Sequence, residues 1–490
     1  MTLMQGADGR IWISLDAFRQ GPPDGGTFGI LSANRLYRKN FALAGSRSAA
    51  DAPSGIKFVS PVKLAYPVYL FCVNTMVWVF DRMLKVLTLA TLFPNALHPT
   101  FGVFVESQTL ALSKLPGVEV RVINPIPMPM FPLNLSVRYW KLRNLPAEED
   151  WKGVRVARPP MRVVPKLSGS FNPDLFVHAA RATLHRWWKG GFQFDVIDAQ
   201  FFYPDGPAAA RLGEEFGRPF SIKARGADIH YWGSRRLCRA RICQAAAGAG
   251  GLLAVSSSLR RDMVAMGMEG QKIAVHYTGC DLEKFAPVDR GAGKALLNVT
   301  GPLVVSLGAL IPRKGHALVI EAMLDLPTTT LFVIGAGPDH DRLSTLIRAR
   351  GLEHRVRLLG NLPHAELPAI LAAADVMALA SESEGLANAW IEALACGTPV
   401  VTPNVDGAPE AIDRPAAGRL LDERTPMAIA RAIRGILADP PEPSAVRAAA
   451  ERFTWQRNAL QLQQHLEQVA GMPPAQPPAT SAVPDARPGT

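Results

Sequence analysis

The chain has 490 residues, of which 48% are hydrophobic and 19% charged, with a formal net charge of +11. That length accommodates two or three domains with ample core, and the balance is that of a globular chain rather than a low-complexity one. The excess of positive charge suits an anionic membrane surface or lipid, whereas no compact basic-aromatic nucleic-acid motif is present, so a nucleic-acid partner is not expected. The five cysteines, Cys72, Cys238, Cys243, Cys280 and Cys396, are scattered and contain no Cys-x-x-Cys pair, which points to a reducing compartment and no structural zinc.

Residues 1 to about 56 are rich in Gly, Ser, Ala and Arg without sustained periodicity, and 1–82 as a whole reads as a poorly ordered extension. Leu64 to Phe80 is uncharged for seventeen residues, just short of the roughly 20 that span a bilayer, and is broken by Pro67 and Asn74. It is open between a span, an interfacial anchor and neither. Met83 stands near the start of the fold proper, which makes 1–82 an appendage or an over-extended reading frame.

From there short apolar strands alternate with helices. Leu84 to Leu92 is a strand, followed by a loop with Gly102 and a helix near Glu106 to Leu115; Val118 to Asn124 is the next strand. Pro125 to Pro132 is a loop. The nearby Arg138, Lys141, Arg143, Arg155, Arg158, Arg162 and Lys166 are either solvated surface or a patch for lipid phosphate. Strands are expected at Phe194 to Ala199, Ser221 to Lys223, Leu252 to Ser256 and Ile273 to Tyr277, with helices from Pro207 and Ser257. Asp289 to Lys294 reads as a linker. A second series has strands at Leu303 to Leu307, Leu331 to Ile334, Val356 to Leu359, Val376 to Leu379, Val400-Val401 and, at an edge, Arg419 to Leu421. Helices at Met427 to Ala438 and Trp455 to Val469 follow, and Gly471 to Thr490 is a Pro/Ala-rich tail. Such alternation implies parallel sheets in an α/β fold, with ligands bound outside the strand carboxyl ends.

The most informative stretch is Ser381 to Glu410, SESEGLANAWIEALACGTPVVTPNVDGAPE. It is a loop, a short helix from Ala387 to Cys396, a turn at Gly397 and a strand. Gly385 lets backbone approach a ligand, and the N–H groups of the helix start suit a phosphate or diphosphate. Glu384 and Glu392 are eight residues apart, up to about 12 Å along a helix. That is the right order to touch both ends of a sugar nucleotide through its hydroxyl pairs. Any single Glu pair of this kind is ordinarily a helix-start carboxylate and a solvated face. The thirty ordered positions together resemble the donor-binding Glu-x7-Glu signature of the retaining glycosyltransferases of family 4.

The resemblance covers Met83 to Val469 and implies a GT-B fold: two Rossmann-like parallel-sheet domains facing across a cleft. The domains it suggests are 83–290 on the acceptor side and 291–445 for the nucleotide-sugar donor. A helix within 446–470 crosses back to the first domain, and 471–490 forms the tail. It implies transfer of a sugar from a nucleotide-diphosphate sugar with retention, without metal or cofactor. Arg313 and Lys314, following the strand that ends before Gly308, would hold the diphosphate, with Glu384 on the sugar and Glu392 on the ribose. Gly102, Gly308, Gly335, Gly337, Asn361, Leu362, Gly385, Leu386, Ala387 and Asn388 complete the implied donor site. Gly335-x-Gly337 alone would be only a tight turn. Gln200, Arg225 and Asp228 are the implied acceptor-side residues; Gln200 stands where many relatives carry a His that contacts the donor sugar. His98, His230 and His316 are further candidates.

The expected acceptor is a lipid-linked saccharide or oligosaccharide in polysaccharide or lipopolysaccharide assembly, met at the cytoplasmic face of the membrane by peripheral contact. A non-catalytic nucleotide-sugar-binding or scaffold protein of the same fold is the alternative, because of Gln200. An epimerase lacks its acid/base set here, and a dinucleotide oxidoreductase lacks Gly-x-Gly-x-x-Gly after either first strand.

Overall fold

The computed structural model describes residues 83–130, 137–164 and 168–472, with five short strands inside residues 1–82. Leu3–Gln5, Ile11–Ile13 and Gly29–Ile30 pair antiparallel, as do Phe71–Val73 and Met76–Trp78. The apolar stretch from Leu64 to Phe80 is thus described only as that strand pair; the other expectations for 1–82, and for the tail beyond Met472, lie outside the described residues. Among the described residues no helix is long and apolar enough to cross a membrane.

Residues 83–472 form one unit with two large sheets and one two-stranded sheet. In the first, β1 (Leu84–Leu89) lies centrally between β2 (Val118–Ile123) and β7 (Val196–Ala199). Beyond β7 come β8 (Phe220–Ala224), β9 (Gly251–Ala254) and β10 (Ile273–Val275), all parallel. Beyond β2 come β5 (Val154–Ala157), parallel, and β4 (Glu148–Trp151), antiparallel. The central strands are buried on both faces, which is why they read as continuous apolar runs rather than alternating ones.

Two expectations are corrected. Within the Pro-rich run, Ile126–Pro129 is a strand (β3) that pairs in parallel with Pro160–Val163 (β6). Prolines can occupy it because the flanking Ile126 and Met130 amides make the bonds, to Pro159 and Val163 carbonyls at 3.0 and 3.3 Å. The expected linker contains a helix, Arg290–Leu296, started by Asp289, whose carboxylate accepts from the amides of Gly291 and Ala292.

The second sheet is wholly parallel. Its strands are β11 (Leu303–Leu307), β12 (Thr330–Ile334), β13 (Val356–Gly360), β14 (Val376–Ala378), β15 (Val400–Pro403) and β16 (Gly418–Leu421). Their spatial order, β13-β12-β11-β14-β15-β16, is the doubly wound 3-2-1-4-5-6 order, with the direction of progression reversing between β11 and β14.

The last helix, Trp455–Val469, returns to the first sheet. Its Leu462 and Leu466 share a core with Leu84, Val86 and Leu112. His465 Nε2 lies 2.7 Å from Ser221 Oγ, and His276 Nε2 bonds the Asn458 carbonyl at 2.8 Å.

Candidate functional site

The reversal between β11 and β14 opens a crevice at the strand carboxyl ends, where a doubly wound sheet binds ligands. A cleft of about 1170 Å³ lies there. Gly308, Gly335, Asn361, Leu362, Asn388 and Glu392 line one side, contributed by the loops after β11, β12 and β13 and by helix Asn388–Ala395. The other side is helix Val103–Ser113 of the first sheet, together with the segment from Gly279 to Phe285. Gly102 starts that helix at φ +81°, and a Cβ there would lie 2.7 Å from the Leu92 carbonyl carbon. It therefore sets the wall rather than lining it. Gly337 packs against the Leu310 backbone outside the cleft.

Arg313 and Lys314 form a short helical turn, Pro312–Lys314, after β11. Lys314 Nζ bonds Glu384 Oε1, Arg313 Nη1 bonds the Ser383 carbonyl, and Arg313 lies 3.9 Å from Glu384 Oε2. Ser381 Oγ donates to Glu384 Oε1 at 2.7 Å, and the Glu384 amide donates to Asp406 Oδ2 at 2.5 Å. Burial pushes the Asp406 carboxyl up. Glu384 is 8% exposed. Glu384 and the two cations, expected at opposite ends of the sugar-diphosphate bond, are partners of one another here. The cluster borders the cleft, because Lys314 Cδ lies 3.6 Å from where a Gly308 Cβ would stand.

Gly385 is where loops of the two sheets meet. A Cβ on it would fall 2.6 Å from the Arg225 carbonyl oxygen and 2.8 Å from Val255 Cγ2. Leu386 and Ala387 are buried in the core rather than facing the cleft.

Of the expected acceptor-side residues, Gln200 and Asp228 turn inward, while Arg225 is partly buried. Gln200 is fully buried; its amide donates to Asp198 Oδ2 at 2.5 Å, and its oxygen accepts from Gln108 at 3.1 Å and Arg225 at 2.5 Å. Asp228 accepts from the amides of Phe202, Arg225 and Gly226, so it shapes its own loop. Arg225 stacks under Phe104, which does line the cleft. Behind them Lys223 Nζ reaches Gln108 Oε1 at 2.7 Å and His276 Nδ1 at 2.8 Å. Burial holds the Lys223 ammonium well below its usual range and, with Lys223 beside it, does the same to His276. Burial also pushes Asp198 up to about 6, against the pull of Lys223. A Gln at position 200 is thus a member of a closed network.

Of the other candidates, His316 is buried between Ser306 Oγ (2.9 Å) and the Ala309 carbonyl (3.2 Å), and burial lowers it to about 4. His230 pairs with Asp262 at 3.0 Å, and the His98 amide caps a turn on Asn95. Arg158 of the expected basic patch is buried and bonded to Glu149, Asn124 and the Pro94 carbonyl. Among the described residues no group of three or more His, Cys, Asp or Glu could hold a metal ion.

Two features were missed by sequence reasoning. Glu410, which closes the motif, accepts from Ser257 N (2.8 Å), Ser257 Oγ (3.0 Å) and Tyr277 Oη (2.8 Å), tying the second sheet's domain to the first. His364 and Lys284 stand in line with Glu392 in the cleft. No local spacing signals either contact, since the partners are 28 to 153 residues apart.

Residues 291–453 match the family described as Glycosyl transferases group 1, and residues 103–284 match Glycosyltransferase Family 4. The Bacillus subtilis protein TuaC, named as a teichuronic acid biosynthesis glycosyltransferase, is 28% identical over 66% of this chain and 82% of its own length. A GDP-mannose-dependent alpha-(1-6)-phosphatidylinositol monomannoside mannosyltransferase of Mycolicibacterium smegmatis is 34% identical over 36% of this chain, a match spanning about half (51%) of that relative. Among solved structures, Anabaena Alr3699/HepE in complex with UDP and glucose superposes with a TM-score of 0.61 at 21% identity, covering 78% of this chain and 99% of that one.

Proposed function

We propose that this chain, which belongs to the glycosyltransferases of family 4 and has the GT-B fold, transfers a sugar with retention of anomeric configuration from a nucleoside-diphosphate sugar to a saccharide acceptor. The carrying observation is that Gly308, Gly335, Asn361, Leu362, Asn388 and Glu392 line one cleft at the strand ends, with Lys314 at its edge. The nucleotide lies on those strand ends, with Glu392 at the ribose. The diphosphate lies toward the start of helix Asn388–Ala395 and draws Lys314 and Arg313 off Glu384, leaving that carboxylate to orient the sugar. The cations stabilise the departing diphosphate, which itself takes the proton of the acceptor hydroxyl as that oxygen attacks the same face of the sugar. The reaction uses no resident metal or cofactor.

The acceptor is a lipid-linked saccharide of cell-surface polysaccharide assembly, presented at the cytoplasmic face of the membrane. Supporting this are the net charge of +11 and an exposed Trp140 beside Lys141 and Arg143 on helix Val137–Arg143. The names of TuaC and of the mycobacterial mannosyltransferase point the same way. The test is incubation of the full chain with labelled UDP-, GDP- and ADP-sugars and a lipid extract, with nuclear magnetic resonance of the product. A product with the donor's anomeric configuration, formed in the presence of EDTA, is expected. An inverted product, or loss of transfer with EDTA, contradicts the mechanism.

A further inference from the structure

The ribose end of the cleft contains a short chain of hydrogen bonds. Lys284 Nζ lies 3.0 Å from His364 Nδ1, and His364 Nε2 lies 2.8 Å from Glu392 Oε1. All three residues line the cleft. The chemistry fixes every role in this line. An ammonium only donates, so Nδ1 accepts and the ring proton sits on Nε2, which donates to the carboxylate. One Glu392 oxygen is thereby held, and the other is left for a ligand hydroxyl.

Lys284 and His364 both stand on rigid supports. Phe285, 1% exposed, lies beneath both: its ring centroid is 5.3 Å from that of His364 and 5.5 Å from Lys284 Nζ. The Lys284 backbone is fixed by Asp281, whose Oδ1 accepts from the amides of Glu283 and Lys284 at 3.1 Å each. Arg447 holds the carbonyls of Leu282 and Phe285 at 2.6 and 2.7 Å. A surface lysine held this way is placed more exactly than most, since its anchoring costs little further ordering.

We propose that Lys284 and His364 are positioning residues that align Glu392, so that the site accepts a ribonucleotide and discriminates against its 2′-deoxy counterpart. The proposal rests on the reading that the cleft holds a nucleoside diphosphate. It assigns no contact between His364 and the ligand; His364 acts through the carboxylate.

Titration calorimetry of the full chain with three pairs, UDP and 2′-deoxy-UDP, GDP and 2′-deoxy-GDP, ADP and 2′-deoxy-ADP, tests it. The wild type binds the ribonucleotide of its preferred pair at least about tenfold more tightly, as for one hydrogen bond to a charged group. His364→Ala and Lys284→Ala bring that ratio toward one, and His364→Gln, whose amide can donate in place of Nε2, restores part of it. A wild-type ratio in His364→Ala overturns the proposal and leaves the nucleotide reading intact. Should His364→Ala fail to fold, the exposed Lys284→Ala carries the same test. Absence of binding to all six nucleotides by the wild type overturns the nucleotide reading itself. Binding without preference for ribose removes Glu392 from the ribose and the proposal with it.

Discussion

The Lys314 ammonium is bonded to the Glu384 carboxylate across seventy residues of sequence. Both side chains are mostly buried, at 15% and 9% exposure. Two residues expected to serve a ligand thus satisfy each other. On the proposed function, a diphosphate entering the cleft would compete for Lys314 and free Glu384 in the same event.

Lys314→Ala leaves Glu384 with Ser381 and a distant Arg313. Stability should fall by about 1.5–3 kcal/mol, the worth of a hydrogen bond to a charged group. Turnover should fall about a hundredfold or more, as for a lost stabiliser of departing charge. Denaturant unfolding and initial rates of nucleoside diphosphate release check the two effects separately. An unchanged rate in a destabilised variant would make the pair purely structural.

Glu410 joins the two domains through three bonds to Ser257 and Tyr277. Tyr277→Phe should cost about 1 kcal/mol and Glu410→Ala about 2–3 kcal/mol. Because they share a bond, the double variant should be less unstable than the sum of the two, by at least about 0.5 kcal/mol. Strict additivity in urea unfolding contradicts the contact.

Gly385→Ala places a methyl group 2.6 Å from the Arg225 carbonyl, so the two loops must separate. Activity should fall at least tenfold while the far-ultraviolet circular dichroism is retained. A fully active Gly385→Ala chain would show that this approach is dispensable.

His465 anchors the last helix to Ser221, and burial lowers it to about 4 from 6.5. Below pH 6.5 the unfolded chain takes up that proton first, so the contribution of His465 is full above pH 6.5 and is lost as pH falls toward 4. The loss is about 3 kcal/mol in total. Asp198, raised to about 6, has the opposite sign: its contribution is present below pH 3.8 and lost as pH rises through 6. The wild-type stability curve mixes the two, but its difference from His465→Gln isolates the histidine. That difference should shrink steadily between pH 6.5 and 4. A flat difference contradicts the assignment.

The strand series and the Glu-x7-Glu loop were legible because their signals are local. Leu303–Leu307 and Trp455–Val469 carry their apolar runs and caps in consecutive residues, and both fell where expected. Asn172–Lys189 was overlooked although its signal was present: Phe176, Val177, Ala180, Leu184 and Trp187 recur at helical spacing and are buried. The hairpin of Glu148–Trp151 and Val154–Ala157 was also readable, since Lys152-Gly153, both at positive φ, is a tight turn between two short strands. Which way polar side chains point was not. Gln200 and Asp228 sit at strand ends in the sequence, but their direction depends on Gln108, Lys223 and the loop amides, which approach only in the folded chain. The same holds for Glu410 with Tyr277 and for Lys284 with His364.

On the proposed function, the cleft binds a nucleoside diphosphate through the Lys314 cluster. Thermal unfolding of the full chain with UDP, GDP or ADP, beside Lys314→Ala, tests it most directly. At about 100 times its dissociation constant the right nucleotide adds roughly 2.7 kcal/mol, so one of the three should raise the midpoint of the wild type. The corresponding nucleoside monophosphate should raise it less, and Lys314→Ala should lose most of the shift. No shift with any of the three, or an equal shift in Lys314→Ala, would contradict the account.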